Sequence, residues 1–353
     1  MKKPKKKGRG RMKSHEDIAK TFIDFSENEC QGSSPLYVAL ARGVSSDMEL
    51  LELCQYARSG QPIPNLFFGS VHYLLLKGKN HPLKEYYPSI VNQPKNPKKA
   101  YPKFKEFCLC YKDEITYLLK VRLVQTNEVR RCGYLYPVFS AIYENINKPL
   151  ALIEIGTSAG FQLLWDHYAY SYGNNKWYGN NDSKLRIVVG VNGDKFPEMT
   201  NQSPKVGLRI GFDLNIVNLH DEEEKLWLRS LIWPEHEDRV VIFKQATEYV
   251  LQNKLTLIEG DGLELLDHYV EDIPSTQTIC IYHTHVANQM SIEDKKYLLR
   301  KVELIGETRD VYHIYNNIQD DKLHLDYYEN GKGHFATIAE TESHGRYFTW
   351  LMN

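Results

Sequence analysis

The run Leu152-Ile153-Glu154-Ile155-Gly156-Thr157-Ser158-Ala159-Gly160-Phe161 has the residue types needed to hold a small ligand. Apolar residues lead into a carboxylate, two glycines bracket Thr157, Ser158 and Ala159, and Leu163, Leu164 and Tyr168 then recur at helical spacing. This pattern predicts a strand, a tight turn and a helix. Glycine lets backbone approach a ligand closely, and the start of a helix offers free N–H groups. A dinucleotide fingerprint would read Gly-x-Gly-x-x-Gly, its middle glycine making room for a pyrophosphate. Only two glycines stand here, which argues against a nicotinamide or nucleotide enzyme, while Glu154 is placed to face a cationic or amino-bearing ligand. A packed turn with no ligand would have the same sequence.

Three other places carry candidate chemistry. Gly211-Phe212-Asp213-Leu214-Asn215 and Glu259-Gly260-Asp261-Gly262 each end an apolar run in acids. Asp213 and Asp261 would either meet polar groups of a ligand or cap the helices that follow. Tyr282-His283-Thr284-His285 ends another apolar run. Histidine suits proton transfer because it titrates near neutrality, and His283 and His285 share a face only if the strand continues through them. A hydrogen-bonded structural role is the alternative. Arg122 and the cluster Gln125-Thr126-Asn127-Glu128 precede an apolar helix expected over 129–143. Thr126 or Asn127 would cap that helix, with Glu128 favourable in its first turn. The remaining polar groups, with Arg130 and Arg131, are more than a cap requires, and a helix start facing the sheet's carboxyl edge would hold a cofactor carboxylate or a substrate.

These residues need a frame. Short apolar runs at 150–155, 208–212, 255–258, 278–282 and 311–315 alternate with helical stretches, predicting an α/β domain with a mostly parallel sheet covered on both faces. The runs 323–328, 334–339 and 346–351, separated by Asn330-Gly331 and His344-Gly345, predict an antiparallel hairpin end. An insertion rich in Asn, Gly and Lys spans 170–206, with a strand candidate at 185–191. Upstream, Ile18, Phe22 and Phe25, then Leu50, Leu53 and Cys54, then Val71, Leu74 and Leu75 fall at helical spacing, while five prolines mark a loop over 81–102. The expected organisation is a basic tail over 1–13, a helical domain over 14–148 and the α/β domain over 149–353.

Glu154-Ile155-Gly156-Thr157-Ser158-Ala159-Gly160 resembles the first motif of S-adenosylmethionine-dependent methyltransferases, in the Ser/Thr-containing form found in small-molecule O-methyltransferases. The resemblance implies that Glu154, Gly156 and Gly160 contact the methionine part of S-adenosylmethionine, with Thr157 and Ser158 also among the cofactor-binding residues. It also implies that Asp213 holds the ribose hydroxyls and Asp261 the adenine amino group. Gly160 and Asp213 lie further apart than the usual ~20 residues, so the insertion must loop out. The Asn/Asp-Pro-Pro-Tyr/Phe motif of amino-methylating enzymes is absent after Tyr282. Nearly the whole chain also resembles a bacterial family known only as a domain of unknown function and grouped with methyltransferase-like folds. That likeness rests on Gly32-Ser33-Ser34-Pro35-Leu36-Tyr37, Pro64-Asn65-Leu66, Gln125 to Val129, Asp213-Leu214-Asn215, Trp233-Pro234-Glu235 and Tyr282-His283-Thr284. The implied function is methyl transfer to a small molecule, with His283 and His285 as acid/base or substrate contacts; a non-catalytic cofactor sensor on the same fold is the alternative.

Composition sets the outer bounds. The chain has 353 residues, 42% hydrophobic and 25% charged, enough for two cores and too apolar for a disordered protein. Its net charge of −1 hides eight basic and no acidic side chains in the first thirteen residues. That arm is expected to be solvated; nucleic acid is a lesser possibility, since no basic face continues beyond it. The basic start runs into Ser14, His15, Glu16 and Asp17, with no apolar run of membrane length, so a cytoplasmic protein is expected. Six cysteines form no Cys-x-x-Cys pair, so neither a zinc site nor a disulfide framework is expected.

Overall fold

The computed structural model describes residues 14–125 and 127–352; the expectations placed on the tail 1–13 and on Thr126 lie outside the described residues. The chain divides into two compact units, one running through residue 126 and including Glu222–Val240, the other comprising Asn127–Asp221 and Val241–Asn353. This corrects the boundary expected at 148/149 in two places. Helix Cys132–Ile146 belongs with the sheet because Phe139 stacks on Trp165 at 4.5 Å and meets Tyr282 edge-on at 5.3 Å. Glu222–Val240 belongs with the helices because Trp227 and Trp233 complete their aromatic core.

In the first unit, helix His15–Asp24 opens with a capping box between Ser14 and Asp17. Helix Ile63–Leu76 is buried nearly all round and carries Phe67 and Phe68 into the core. Around these rings, Phe25 and Tyr37 pack on Trp233 at 5.5 and 5.9 Å. Two residues beyond Trp233, Glu235 accepts from the Ser34 hydroxyl at 2.6 Å and from the Leu36 amide at 2.8 Å. The start of helix Pro35–Val44 is thereby satisfied internally.

In the second unit the strands are β1 Leu150–Ile155, β2 Ala169–Ser171, β3 Tyr178–Gly179, β4 Arg186–Val188, β5 Gly190–Asn192 and β6 Val206–Asp213. After them come β7 Thr256–Glu259, β8 Thr278–Tyr282, β9 Val311–Tyr315, β10 Leu323–Glu329, β11 Lys332–Thr341 and β12 Tyr347–Trp350. Among the described residues, nine of these form one mostly parallel sheet in the order β5-β12-β11-β10-β9-β8-β1-β6-β7. The strands from β7 to β9 are parallel, and β9 to β12 pair antiparallel; the two turn signals predicted the pairings of β10 with β11 and of β11 with β12. From β1 the chain winds outward to β6 and β7, then returns to β8 on the other side of β1. The β1/β8 edge is therefore a topological switch point, where the carboxyl ends of strands in open α/β sheets receive ligands. The insertion folds into a small sheet of order β3-β2-β4, and its last strand, β5, pairs with β12.

Alternation along the strands assigns their faces. Ala151, Ile153, Ile155, Ile279, Ile281 and Val311 pack with Leu263, Leu266, Leu298 and Val302 of helices Gly262–Glu271 and Ile292–Gly306. Glu154 and Tyr282, paired across β1 and β8, point to the opposite face, where Tyr282 meets Phe139.

One expected element is different. The α-helix predicted after Gly160 is a 3-10 segment, Phe161–His167, broken at Leu164 (φ −109°, ψ 20°). The Leu163 carbonyl accepts from the Arg209 guanidinium, which also grips Asp166 at 2.6 and 2.7 Å. A side chain takes the acceptor that an amide four residues on would use in an α-helix.

Candidate functional site

Both the Gly156 and Thr157 amides donate to the Phe212 carbonyl, at 2.8 and 3.1 Å, so the turn after β1 hangs on the end of β6. Ser158 N–H donates to Asp213 Oδ2 at 2.8 Å, while Asp213 Oδ1 accepts from the Asn215 amide at 3.0 Å. The insertion thus loops out and returns Asp213 to the turn. Gly156, Ser158 and Gly160 all have positive φ, at 80°, 51° and 81°. A Cβ on Gly156 would lie 2.7 Å from Val286 Cγ2, and one on Gly160 2.8 Å from Leu255 Cδ1. Backbone conformation and side-chain packing both demand glycine there.

Glu154 is 2% exposed, and its Oε2 accepts from Thr157 Oγ1 at 2.6 Å. Burial pushes its carboxyl up to about 8; the Thr157 bond opposes the rise and nearby Asp213 adds to it. Glu154 is therefore mostly protonated at neutral pH. Arg131 is 6% exposed, donating through Nε to the Ser343 carbonyl at 2.9 Å and through Nη1 to Thr284 Oγ1 at 3.3 Å. No carboxylate among the described residues forms an ion pair with it. A guanidinium cannot shed its charge, so its burial without a counter-ion is costly. Gln162 joins Thr284 at 3.2 Å and the Glu128 carbonyl at 3.3 Å, and Asn127 Nδ2 donates to the Thr157 carbonyl at 2.8 Å. The segment before helix Cys132–Ile146 is in this way tied to the turn.

The two histidines do not share a face. The strand ends at Tyr282, and His283 continues the parity of Ile281 toward His313, with ring centroids 5.3 Å apart. His283 is fully buried, neither ring nitrogen has a hydrogen-bond partner among the described residues, and burial followed by Lys295 holds it down at about 3. His285 adopts a left-handed conformation (φ 63°) fixed by its amide donating to Asn316 Oδ1 at 2.7 Å. Its Nε2 is buried and unpartnered, and burial, then Arg131, then His344, lower it to about 3.

The remaining predicted residues are placed as follows. Asp261 is exposed and caps helix Gly262–Glu271 through Oδ1 to the Leu263 amide at 2.9 Å. Glu128, rather than Asn127, serves the next helix start, accepting from the Arg130 amide at 3.2 Å. Arg122 and Gln125 belong to the first unit, where Arg122 lies over the Tyr73 and Trp227 rings at 5.8 and 5.6 Å. Ser158 is 4% exposed and its hydroxyl has no partner among the described residues.

Sequence reasoning missed Gln162, Thr284 as an Arg131 partner, and the loop Glu342 to Arg346. A lone Gln inside the apolar run Phe161 to Leu164 was a usable signal. The loop had only the His344-Gly345 turn to mark it. Gly345 (φ 71°) is required because a Cβ would fall 2.7 Å from the Arg130 carbonyl. Among the described residues no group of three or more His, Cys, Asp or Glu is arranged to hold a metal ion, and no helix is long and apolar enough to cross a membrane.

A family model described as "Uncharacterized protein conserved in bacteria (DUF2332)" matches residues 19–350. No curated protein and no solved structure matches the chain.

Proposed function

The chain belongs to the bacterial family DUF2332, and on that premise we propose that its second unit is a Rossmann-like methyltransferase domain that binds S-adenosylmethionine and methylates a small molecule. The observation that carries the proposal is the carboxyl end of β1 at the switch point. There a buried acid, Glu154, precedes a turn whose Ser158 amide is bound to the acid ending the neighbouring strand, Asp213.

The residues present fit such a group. The Ser158 hydroxyl and the Arg131 guanidinium are buried polar groups at one sheet edge, and among the described residues the first has no partner and the second no counter-ion. Arg131 would take the carboxylate of the cofactor's amino-acid part. Protonated Glu154 would accept or donate a hydrogen bond beside it, Thr157 holding the carboxyl in place. Asp213 has lone pairs left for ribose hydroxyls, and Asp261 would meet the adenine amino group. Gly156 and Gly160 would act indirectly, by shaping the turn. When bound, S-adenosylmethionine supplies a methyl group already activated for displacement.

His285 is the better placed of the two histidines for the acceptor's proton. Burial first and Arg131 second hold it at about 3, too low for a base at neutral pH. An anionic group on Arg131 would remove the second of these causes and raise the imidazole, while burial continues to hold it down. A non-catalytic cofactor sensor is favoured by a different observation: His283 faces the Ile292–Gly306 side of the sheet, away from Glu154. Incubating the protein with S-adenosylmethionine and pools of hydroxyl, carboxyl and amine acceptors, and measuring S-adenosylhomocysteine release, separates the two. Release that depends on an acceptor supports the enzyme; cofactor binding without release under any pool supports the sensor.

A further inference from the structure

On the Ile292–Gly306 side of the second unit, a cavity of about 370 Å³ opens between that helix and strands β9, β10 and β11. Its volume lies at the lower end of the range for small-molecule sites. His313 on β9 and Asp326 on β10 are direct cross-strand neighbours that both line it. His313 is fully buried and neither ring nitrogen has a partner among the described residues. Asp326 is 4% exposed; one oxygen accepts from Tyr315 O–H at 2.8 Å, and the other has no partner among the described residues. Burial keeps the imidazole neutral, so one of its nitrogens is an acceptor. A buried, unpaired acceptor such as the one on His313 is expensive unless something donates to it.

The rim has the opposite character. Lys296 lines the cavity from the exposed face of the helix and forms no ion pair among the described residues. Arg300, one turn on, is balanced by Glu303 at 2.5 Å and Glu307 at 3.8 Å. The lining also includes the rings of Tyr328 and Phe335, in edge contact at 6.0 Å, whose π-faces suit a cation. We propose that this cavity is a second ligand site, for a small zwitterion whose ammonium group donates to Asp326 and His313 and whose anionic group meets Lys296. The site shares no residue with the sheet edge around Glu154 and does not rest on the methyltransferase reading.

Calorimetric titration of the full chain with γ-aminobutyrate, n-butylamine and butyrate tests it. The zwitterion should bind, the amine should bind about tenfold more weakly for want of the Lys296 contact, and butyrate should not bind. Lys296→Gln should bring the first two together, and Asp326→Asn should abolish both. Leu299→Trp, which fills the cavity from its helical wall and leaves every charge in place, should do the same even if Asp326→Asn does not fold. No binding of either amine to folded wild type, butyrate binding as tightly as the amine, or undiminished binding to Leu299→Trp would each overturn the proposal.

Discussion

The Ser158 amide donates to Asp213 Oδ2 at 2.8 Å and thereby closes the turn after β1 onto the end of β6, across an insertion that contains four strands. Beside the two backbone bonds to Phe212, this charge-assisted bond makes the turn depend on that carboxylate. Asp213→Ala leaves the Ser158 and Asn215 amides without their acceptor and should cost about 1–3 kcal/mol. Asp213→Asn keeps one acceptor oxygen and should lose less. Denaturant unfolding of the pair measures this, and equal losses would show that the carboxyl oxygens are not what matters.

Gly156 is constrained twice, by φ of 80° and by Val286 Cγ2 2.7 Å from where a Cβ would sit. Gly156→Ala should destabilise by the backbone cost of about 1–2 kcal/mol plus the clash. Removing the obstruction in Gly156→Ala/Val286→Ala relieves only the second part. The double variant should stay about 1 kcal/mol or more below Val286→Ala alone; if the two are equally stable, the turn places no demand on the backbone.

The sheet was legible because strand residues buried on both faces form continuous apolar runs, as at Leu150 to Ile155 and Thr278 to Tyr282. The hairpin end was legible from Asn330-Gly331, whose two residues adopt positive φ at 52° and 76°. Phe161–His167 was misread as an α-helix because the competitor for its Leu163 carbonyl, Arg209, is distant in sequence. The same limit hid Arg131's partners, since Thr284 and Ser343 come from two far loops. It also hid the domain division, because Trp227 and Trp233 read as sheet-domain residues until their packing with Phe25, Tyr37 and Tyr73 is seen. The Glu154 to Gly160 motif announced its turn, and the sequence could not tell that Val286 and Leu255 fill the space beside its glycines.

Acid should destabilise the second unit through its buried histidines. His283, His285 and His313 are all lowered, the first two to about 3, mainly by burial. The unfolded chain protonates them near ~6.5 while the folded chain does not, so stability present above that pH is lost as pH falls toward 3, by up to about 1.4 kcal/mol per unit for each. His283→Gln should reduce the slope of unfolding free energy between pH 6 and 4 by up to about 1.4 kcal/mol per unit. An unchanged slope would show that His283 is charged in the folded state.

Glu154 acts with the opposite sign. Its folded carboxyl is raised to about 8, above the ordinary value, so the unfolded chain ionises first. Its contribution is full below pH ~4.3 and is lost as pH rises to 8, by up to about 1.4 kcal/mol per unit. Glu154→Gln keeps an acceptor for Thr157 and cannot ionise. It should gain stability relative to wild type as pH rises from 5 to 8, measured by urea unfolding; a constant difference would mean the carboxyl is already ionised at pH 5.

Calorimetric titration with S-adenosylmethionine and S-adenosylhomocysteine, with NAD and ATP as controls, tests the cofactor assignment most directly when run on wild type, Asp213→Ala and Arg131→Gln. Saturable binding of the first two alone, weakened about tenfold or more in both variants, is the predicted result. Folded wild type that binds neither would contradict the assignment and leave the sheet edge around Glu154 to another ligand.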